Sequence, residues 1–305
     1  MANRTSEIDR RAAIAMGLAA FGTAPACAQA GDLPLWPGIP PGPPPGYVHD
    51  SAKAPMLFVR RAAKPDGSAI IVPPGGAYAA QSFGGDGEGS ARYFTARGVT
   101  VFIMRYRFPN AGWGNRADVP LQECQRAIRL VRANAAAFGV DPQRIGFVGY
   151  SSGGHMAASI ATRWAAKVYE SVDAADQIDA RPNFAGLIYP VITMGKGAHD
   201  WSRVNLMGRP QTPAQQVAYS PQMHIPPNAP PMFIAVGRDD KIVDPIPNSQ
   251  AMYDALIAAN IPAELHVFEV GPHGFGISDK PGTAGGDWPP LFMAWGKRLG
   301  MFRAT

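Results

Sequence analysis

The amino-acid sequence predicts an α/β fold, in which a mostly parallel central sheet is covered by helices on both faces as a three-layer sandwich. Short apolar segments after residue 50 alternate with segments of helical periodicity, and this alternation is typical of a parallel sheet. Several apolar segments are continuous β-branched runs, as expected of strands that are buried on both faces. The sequence contains no internal repeat and no change of composition after residue 50. Residues 51–305 are therefore expected to form one domain.

The predicted elements follow one another along this whole domain. We expect strands at residues 56–59, 69–72, 99–104, 145–148, 184–189, 232–236 and 265–268. Helical patterns lie near residues 89–97, 119–138, 152–165, 247–259 and 288–300. The connection 191–230 contains several prolines and shows no clear periodicity. Because so long an irregular connection in a compact domain is often functional, we expect it to cover a site.

Composition excludes several classes of protein. Hydrophobic residues make up 46% of the chain and charged residues 17%, so the chain can bury a large core and is not intrinsically disordered. No run of apolar residues is long enough for a membrane-spanning helix. The formal net charge is only +5, and Lys and Arg are scattered without a basic run longer than two. We therefore expect neither a membrane span nor a nucleic-acid partner.

The N-terminal 50 residues are predicted to lie outside the catalytic domain. In residues 1–30, Arg10 and Arg11 precede an apolar segment, and an Ala-Gln-Ala sequence follows at residues 28–30, which is typical of a cleaved export signal. The paired arginines fit the twin-arginine route, and a buried N-terminal helix is the alternative. Residues 31–50 are proline-rich and are expected to form an extended surface arm or, alternatively, a flexible linker. The protein is therefore expected to be periplasmic or secreted.

A nucleophile motif follows the predicted strand 145–148. Residues 149–153 read Gly-Tyr-Ser-Ser-Gly, and a helical pattern begins directly afterwards. Between a strand and a helix, a G-x-S-x-G motif forms a sharp turn that exposes the central hydroxyl, which here belongs to Ser151. The amide of Ser152 would then lie at a helix N-terminus and point toward a developing oxyanion. A plain glycine-rich turn, or Ser152 as the nucleophile, is the alternative.

A serine nucleophile needs a general base, and His273 is the best placed of the six histidines. It follows the last predicted strand, and the glycines around it in residues 271–276 allow its imidazole to project from a loop. The other histidines are expected inside a strand (His266), beside the nucleophile turn (His155), or on loops and the surface (His49, His199 and His224).

An acid that orients the histidine is expected between the serine and the histidine in chain order. Asp239, Asp240 and Asp244 follow the predicted strand 232–236, and a carboxylate just beyond a strand can reach the Nδ1–H group of the base. The spacing to Val243 favours Asp240. A solvated turn is the alternative for all three.

A second feature of acyl-transfer sites, a glycine loop after an early strand, is present as well. Residues 73–78 read Pro-Pro-Gly-Gly-Ala-Tyr and follow the predicted strand 69–72. Consecutive glycines let backbone N–H groups approach a substrate oxygen, so this loop is predicted to contribute to an oxyanion hole.

In the order glycine loop, Ser, Asp, His, these motifs resemble the α/β-hydrolase superfamily, and within it the acetylxylan-esterase-like branch of carbohydrate acetyl esterases. The matching segments are spread over nearly all of the chain after residue 30, at residues 35–38, 74–78, 88–89, 106–107, 125–132, 149–155, 189–192, 205–208, 230–231 and 273–276. The resemblance implies an α/β-hydrolase fold and a Ser151–His273–Asp240 triad. It also implies oxyanion donors from Gly76 or Ala77 and from Ser152. One departure is Ala77, because the family's loop usually has a third glycine there.

The sequence therefore predicts a serine carboxylesterase that hydrolyses short-chain acyl esters through an acyl-enzyme intermediate. Acetyl esters are the preferred substrates in this prediction. The resemblance implies small-molecule or carbohydrate esters, such as acetylated xylan, as substrates. Ser-His-Asp hydrolysis needs no cofactor, and the sequence shows no cluster of metal ligands. The alternatives are a serine peptidase of the prolyl-oligopeptidase-like type and a non-catalytic carbohydrate-binding homologue, since a fold alone does not determine a substrate.

Overall fold

An eight-stranded sheet runs through residues 31–303, the part of the chain that the computed structural model describes. The strands are β1 (Leu33–Pro34), β2 (Met56–Arg60), β3 (Ala69–Val72), β4 (Thr100–Arg105), β5 (Ile145–Tyr150), β6 (Ala185–Ile188), β7 (Met232–Gly237) and β8 (Ala263–Phe268). Their order is β1-β2-β4-β3-β5-β6-β7-β8. Only β1 with β2 and β2 with β4 pair antiparallel, and the other neighbours are parallel. The export signal predicted for residues 1–30 lies outside the described residues.

Helices cover both faces of this sheet. They are α1 (Glu88–Thr95), α2 (Val119–Ala133), α3 (Ala135–Phe138), α4 (Ser152–Arg163), α5 (Asp200–Met207), α6 (Pro213–Ala218), α7 (Ala251–Ala258) and α8 (Ala284–Arg298). Side chains of α2, α4 and α7 pack on one face, and those of α1 and α8 pack on the other. The five predicted helical patterns correspond to α1, α2 with α3, α4, α7 and α8. No helix within residues 31–303 is long and apolar enough to cross a bilayer.

Alternate residues of each central strand enter the two halves of the core. In β3, Ile71 packs on the side of α4 with Ile160, while Ile70 packs on the opposite side with Phe94 and Phe292. All four residues of β3 are fully buried. The continuous apolar runs in the sequence therefore reflect a sheet with both faces covered, and the predicted α/β class is confirmed.

The arm predicted for residues 31–50 begins inside the fold. Its first residues form β1 at the sheet edge, and Leu35 and Trp36 are buried in the core. The Trp36 Nε1–H group donates to the buried Glu123 carboxylate at 3.1 Å. A two-residue strand beside prolines is too short to produce a period-two pattern, so the sequence did not reveal this anchoring.

The connection 191–230 contains two short helices, α5 and α6, that the sequence pattern did not predict. Neither helix is long enough to repeat an apolar face over several turns. One local signal was present in the sequence, because Thr212 and Gln215 form a capping box at the start of α6.

The parallel strands bring the predicted motifs to one edge of the sheet. The loops after β3, β5, β7 and β8 all leave from carboxyl ends, and they contain the glycine loop, Ser151, Asp240 and His273. In open α/β sheets this edge is where ligands bind.

Candidate active site

Ser151 occupies a strained turn between β5 and α4. Its backbone has φ 52° and ψ −117°, a positive φ that costs a residue with a side chain on the order of 1 kcal/mol or more. The neighbouring glycines make the turn possible, because a Cβ atom on Gly149 would lie 2.0 Å from the carbonyl oxygen of Gly153. A Cβ atom on Gly153 would in turn lie 2.0 Å from the carbonyl oxygen of Pro73. The two glycines therefore satisfy a steric requirement of this turn.

The structure brings Ser151, His273 and Asp240 into one hydrogen-bonded chain. The His273 Nδ1 atom lies 2.7 Å from Oδ2 of Asp240, and Nε2 lies 2.9 Å from Oγ of Ser151. A carboxylate only accepts hydrogen bonds, so Nδ1 carries the proton and donates it to Asp240. Neutral Nε2 is then free to accept the hydroxyl proton of Ser151. This is the tautomer that a general base requires.

Asp240 differs from the two other carboxylates of its loop in what it contacts. Its Oδ1 atom accepts the amides of Ile242 and Val243, both at 2.9 Å, which leaves Oδ2 directed at the histidine. Asp239 and Asp244 each accept a backbone amide elsewhere, at 2.7 and 3.0 Å. Of the three candidates, only Asp240 therefore lies against His273.

Three backbone amides beside the serine form a potential oxyanion hole. Within residues 31–303, no backbone or side-chain group accepts a hydrogen bond from the N–H groups of Gly76, Ala77 and Ser152. Gly76 and Ala77 line the same cavity as Ser151, and Ser152 is the first residue of α4. Free amides at the start of a helix and in a glycine loop are suited to binding a negatively charged oxygen.

His155 joins the glycine loop to the neighbouring helix α4, which agrees with its predicted place beside the nucleophile turn. Its Nε2–H group donates to the carbonyl of Tyr219 at 2.8 Å, so Nδ1 accepts the hydroxyl of Tyr78 at 2.6 Å. Burial lowers the pKa of His155 to about 4. The imidazole is therefore neutral at neutral pH and acts as a structural bridge.

A cavity of about 430 Å³ opens beside Ser151 and His273. Its inner end contains the buried residues Asp86 and Tyr189, and Trp201 lies at its mouth, 61% exposed. Burial raises the pKa of the Asp86 carboxyl group, although hydrogen bonds from its neighbours oppose the shift. The cavity thus combines a polar inner end with an aromatic rim.

Several residues of this cavity were not predicted from the sequence. His199, which the sequence placed on a loop or the surface, lines the cavity from the start of α5, and burial lowers the pKa of its imidazole. Asp86 was not among the sequence candidates and reaches the site through the short helical turn before α1. No local motif marks either residue. Trp201 lies in α5 and is exposed, not packed in the core.

Comparison with known proteins identifies the family of this chain. The family model described as BD-FAE matches residues 57–256, about two thirds of the chain. The chain belongs to the BD-FAE family. The matched BD-FAE region includes the glycine loop, Ser151 and Asp240. It ends before β8 and His273.

A similar curated relative of this BD-FAE chain is named acetylxylan esterase and comes from Xylanibacter ruminicola. It is 30% identical over 235 residues, which correspond to 75% of this chain and 45% of the relative. The BD-FAE chain spans less than half the length of each curated relative that it matches. The similarity to the acetylxylan esterase confirms the resemblance to the acetylxylan-esterase-like branch.

Two solved structures share the fold over nearly the whole BD-FAE chain. The acetyl ester-xyloside bifunctional hydrolase of Caldicellulosiruptor lactoaceticus is 27% identical, with a TM-score of 0.77 over 92% of this chain and 100% of its own. A thermophilic esterase from Thermogutta terrifontis is 26% identical, with a TM-score of 0.70 over 91% of this chain and 95% of its own. The latter is also known with propionate and with butyrate bound. These neighbours support the predicted enzyme class, a carboxylic ester hydrolase.

Proposed function

We propose that this BD-FAE chain is a serine carboxylesterase that hydrolyses short-chain acyl esters, with acetyl groups on carbohydrates such as xylan as the leading natural substrates. The observation that carries the proposal is the hydrogen-bonded chain from Asp240 through His273 to Ser151, next to amides that have no acceptor in the described part of the chain. The named activities of the relatives support the same reaction.

In the proposed first step, the Ser151 hydroxyl attacks the ester carbonyl while His273 Nε2 takes its proton. The carbonyl oxygen becomes an oxyanion, which the amides of Gly76, Ala77 and Ser152 stabilise. Asp240 keeps the imidazole in the required tautomer and stabilises the imidazolium. The imidazolium then returns the proton to the departing alcohol oxygen, and the acyl group remains on Ser151.

The second step reverses these roles with water as the nucleophile. His273 removes a proton from a water molecule, which attacks the acyl-serine carbonyl. The second tetrahedral intermediate uses the same amides. Its collapse releases the carboxylic acid and returns the proton to Oγ of Ser151, so the cycle closes without a cofactor.

Two buried polar groups in the lining of the cavity support a short acyl group. The buried residues Asp86 and Tyr189 and the Ala77 residue of the glycine loop line this cavity. The Asp86 carboxyl group already accepts hydrogen bonds from Gly75 and Tyr189, so a long alkyl chain that reached it would pack against a polar group and not against apolar side chains.

We expect kcat/KM to fall as the acyl chain lengthens from p-nitrophenyl acetate to octanoate. Each added methylene that does not fit the cavity is expected to raise the activation free energy by about 1–3 kcal/mol. The kcat/KM for the acetate ester is therefore expected to exceed that for the octanoate ester by at least about 10-fold. The measurement is initial-rate kinetics on a series of p-nitrophenyl esters at one pH. Equal or higher kcat/KM for octanoate would contradict the short-acyl proposal.

The carbohydrate part of the proposal has a separate test, which is acetate release from acetylated xylan. Trp201 supports it, because an exposed aromatic ring at the cavity mouth offers an apolar face against which a sugar ring can pack. Hydrolysis of p-nitrophenyl acetate without acetate release from xylan would favour a general esterase. Cleavage of an aminoacyl anilide in preference to esters would favour a peptidase.

We also propose that the chain is exported and that its mature form begins near Gly31. The support is the pattern of Arg10, Arg11 and the Ala-Gln-Ala sequence that ends at residue 30. N-terminal sequencing of protein from a bacterial periplasmic fraction is expected to start close to Gly31. Active cytoplasmic protein that retains Met1 would contradict export.

A further inference from the structure

We propose that Asp86 and Asn205 are positioning residues, which hold the two ends of the oxyanion loop (residues 75–77) so that its free amides face the reacting ester. The proposal rests on the proposed function, because the loop matters only if an oxyanion forms beside Ser151. Neither residue needs to touch the reacting atoms for this role.

The oxyanion loop has an unfavourable backbone conformation. Gly76 has φ 138°, and Ala77 and Tyr78 have φ 55° and 61°. For residues with side chains, the left-handed region costs about 1–2 kcal/mol each. The amides of Gly76 and Ala77 have no acceptor within residues 31–303, so the shape of the loop depends on hydrogen bonds to its carbonyl groups and on contacts from other elements.

Asp86 holds the first end of the loop. Its Oδ2 atom accepts the Gly75 amide at 2.9 Å, and the hydroxyl of Tyr189 donates to Oδ1 at 3.4 Å. The loop passes very close to the nucleophile here, because a Cβ atom built on Gly75 would lie 3.1 Å from Cβ of Ser151. A small displacement at this end therefore changes the distance between the oxyanion donors and the reacting serine.

Asn205 holds the other end from helix α5. Its side-chain amide donates to the carbonyl of Ala77 at 2.9 Å, and its own carbonyl oxygen accepts from the side chain of Asn110 at 3.2 Å. Arg116 donates to the backbone carbonyl of Asn205 at 2.7 Å. Fixing the carbonyl of Ala77 restricts rotation of that residue, and with it the direction of its amide. The connection 191–230 thus contributes to the site through this contact.

The first experiment compares substitutions at each end by kcat on p-nitrophenyl acetate, with the active sites counted by titration with an organophosphate. Asn205→Ala and Asn205→Asp both remove the donor to Ala77 and are expected to lower kcat per titrated site about 10- to 100-fold, less than the loss of a whole oxyanion donor. KM is expected to change little, because the interaction affected is made in the transition state.

Substitutions of Asp86 distinguish the effect of its hydrogen bond from the effect of its charge. Asp86→Asn keeps an oxygen that can accept the Gly75 amide and is expected to retain kcat within about 3-fold, whereas Asp86→Ala removes the acceptor and is expected to lower kcat at least about 10-fold. The Asp86 variants and the Asn205 variants test opposite ends of the loop. If one pair of variants does not yield folded protein, the other pair still tests the proposal.

Asn183→Ala serves as the control, because this asparagine, like Asp86, accepts a backbone amide with its side-chain oxygen but lies at the opposite edge of the sheet. Its Oδ1 atom accepts the Ile145 amide at 3.2 Å. This variant is expected to lower Tm and leave kcat per titrated site unchanged.

A wild-type kcat in Asn205→Ala would overturn the positioning role. A loss of kcat in Asn205→Asp but not in Asn205→Ala would overturn it as well, because that loss would be due to the added charge. Equal losses in Asp86→Asn and Asp86→Ala would do the same. These results are distinct from failure of the proposed function, in which Ser151→Ala itself would remain active.

Discussion

Ser151→Ala is expected to lower kcat for p-nitrophenyl acetate by on the order of 10⁴-fold or more, with little change in Tm. The substitution removes the only atom of Ser151 that bonds His273 and keeps the Cβ atom, so the strained turn at φ 52° is unchanged. Residual hydrolysis is expected from the oxyanion amides and the cavity, which still bind and polarise the ester. The measurement is kcat together with a thermal unfolding curve of the same preparation.

Ser152→Ala is the matched control for this prediction. The proposed role of Ser152 uses only the backbone amide at the start of α4, which the substitution preserves. We expect near wild-type kcat. Retention of more than a tenth of the activity in Ser151→Ala, with an inactive Ser152→Ala, would move the nucleophile by one residue.

Asp240→Asn is expected to lower kcat at neutral pH by about 10³- to 10⁴-fold. In the wild type, Oδ1 of Asp240 accepts two backbone N–H groups. If the oxygen of the asparagine side chain takes the place of Oδ1, the side-chain NH₂ group faces Nδ1 of His273. Nδ1 must then be the acceptor, which places the imidazole proton on Nε2. In that tautomer His273 cannot take the proton of Ser151, although the nucleophile itself stays in place.

Asp239→Asn and Asp244→Asn test the same substitution at the neighbouring carboxylates. Each accepts one backbone amide, and an asparagine oxygen can continue to accept it. Both variants are therefore expected to stay within a few-fold of wild-type kcat, measured at pH 7 on the same ester. If Asp239→Asn had the largest loss of the three, the assignment of Asp240 as the orienting acid would be wrong.

The candidate site shows which kinds of residue a sequence reveals. Ser151, His273 and Asp240 follow strands that have strong local signals, and each stands in a motif or at a spacing that the chemistry requires. Asp86 lies in no motif, and Asn205 lies in a segment that matches the family but that predicts no role for it, because each residue acts through a hydrogen bond to the glycine loop. Asn205 is 128 residues away along the chain from the carbonyl that it binds. A contact of that separation has no periodicity or spacing by which the sequence could reveal it.

The same division holds for the fold. By itself, the sequence determined the α/β class, the seven longer strands and the position of the nucleophile turn, because buried strands and sharp turns constrain the residues next to one another in the chain. The tertiary structure decided that Leu35 and Trp36 enter the core, that α5 brings His199 and Trp201 to the cavity, and that the cavity ends on Asp86 and Tyr189. These features depend on which distant segments pack against each other, and packing is a property of the folded chain as a whole.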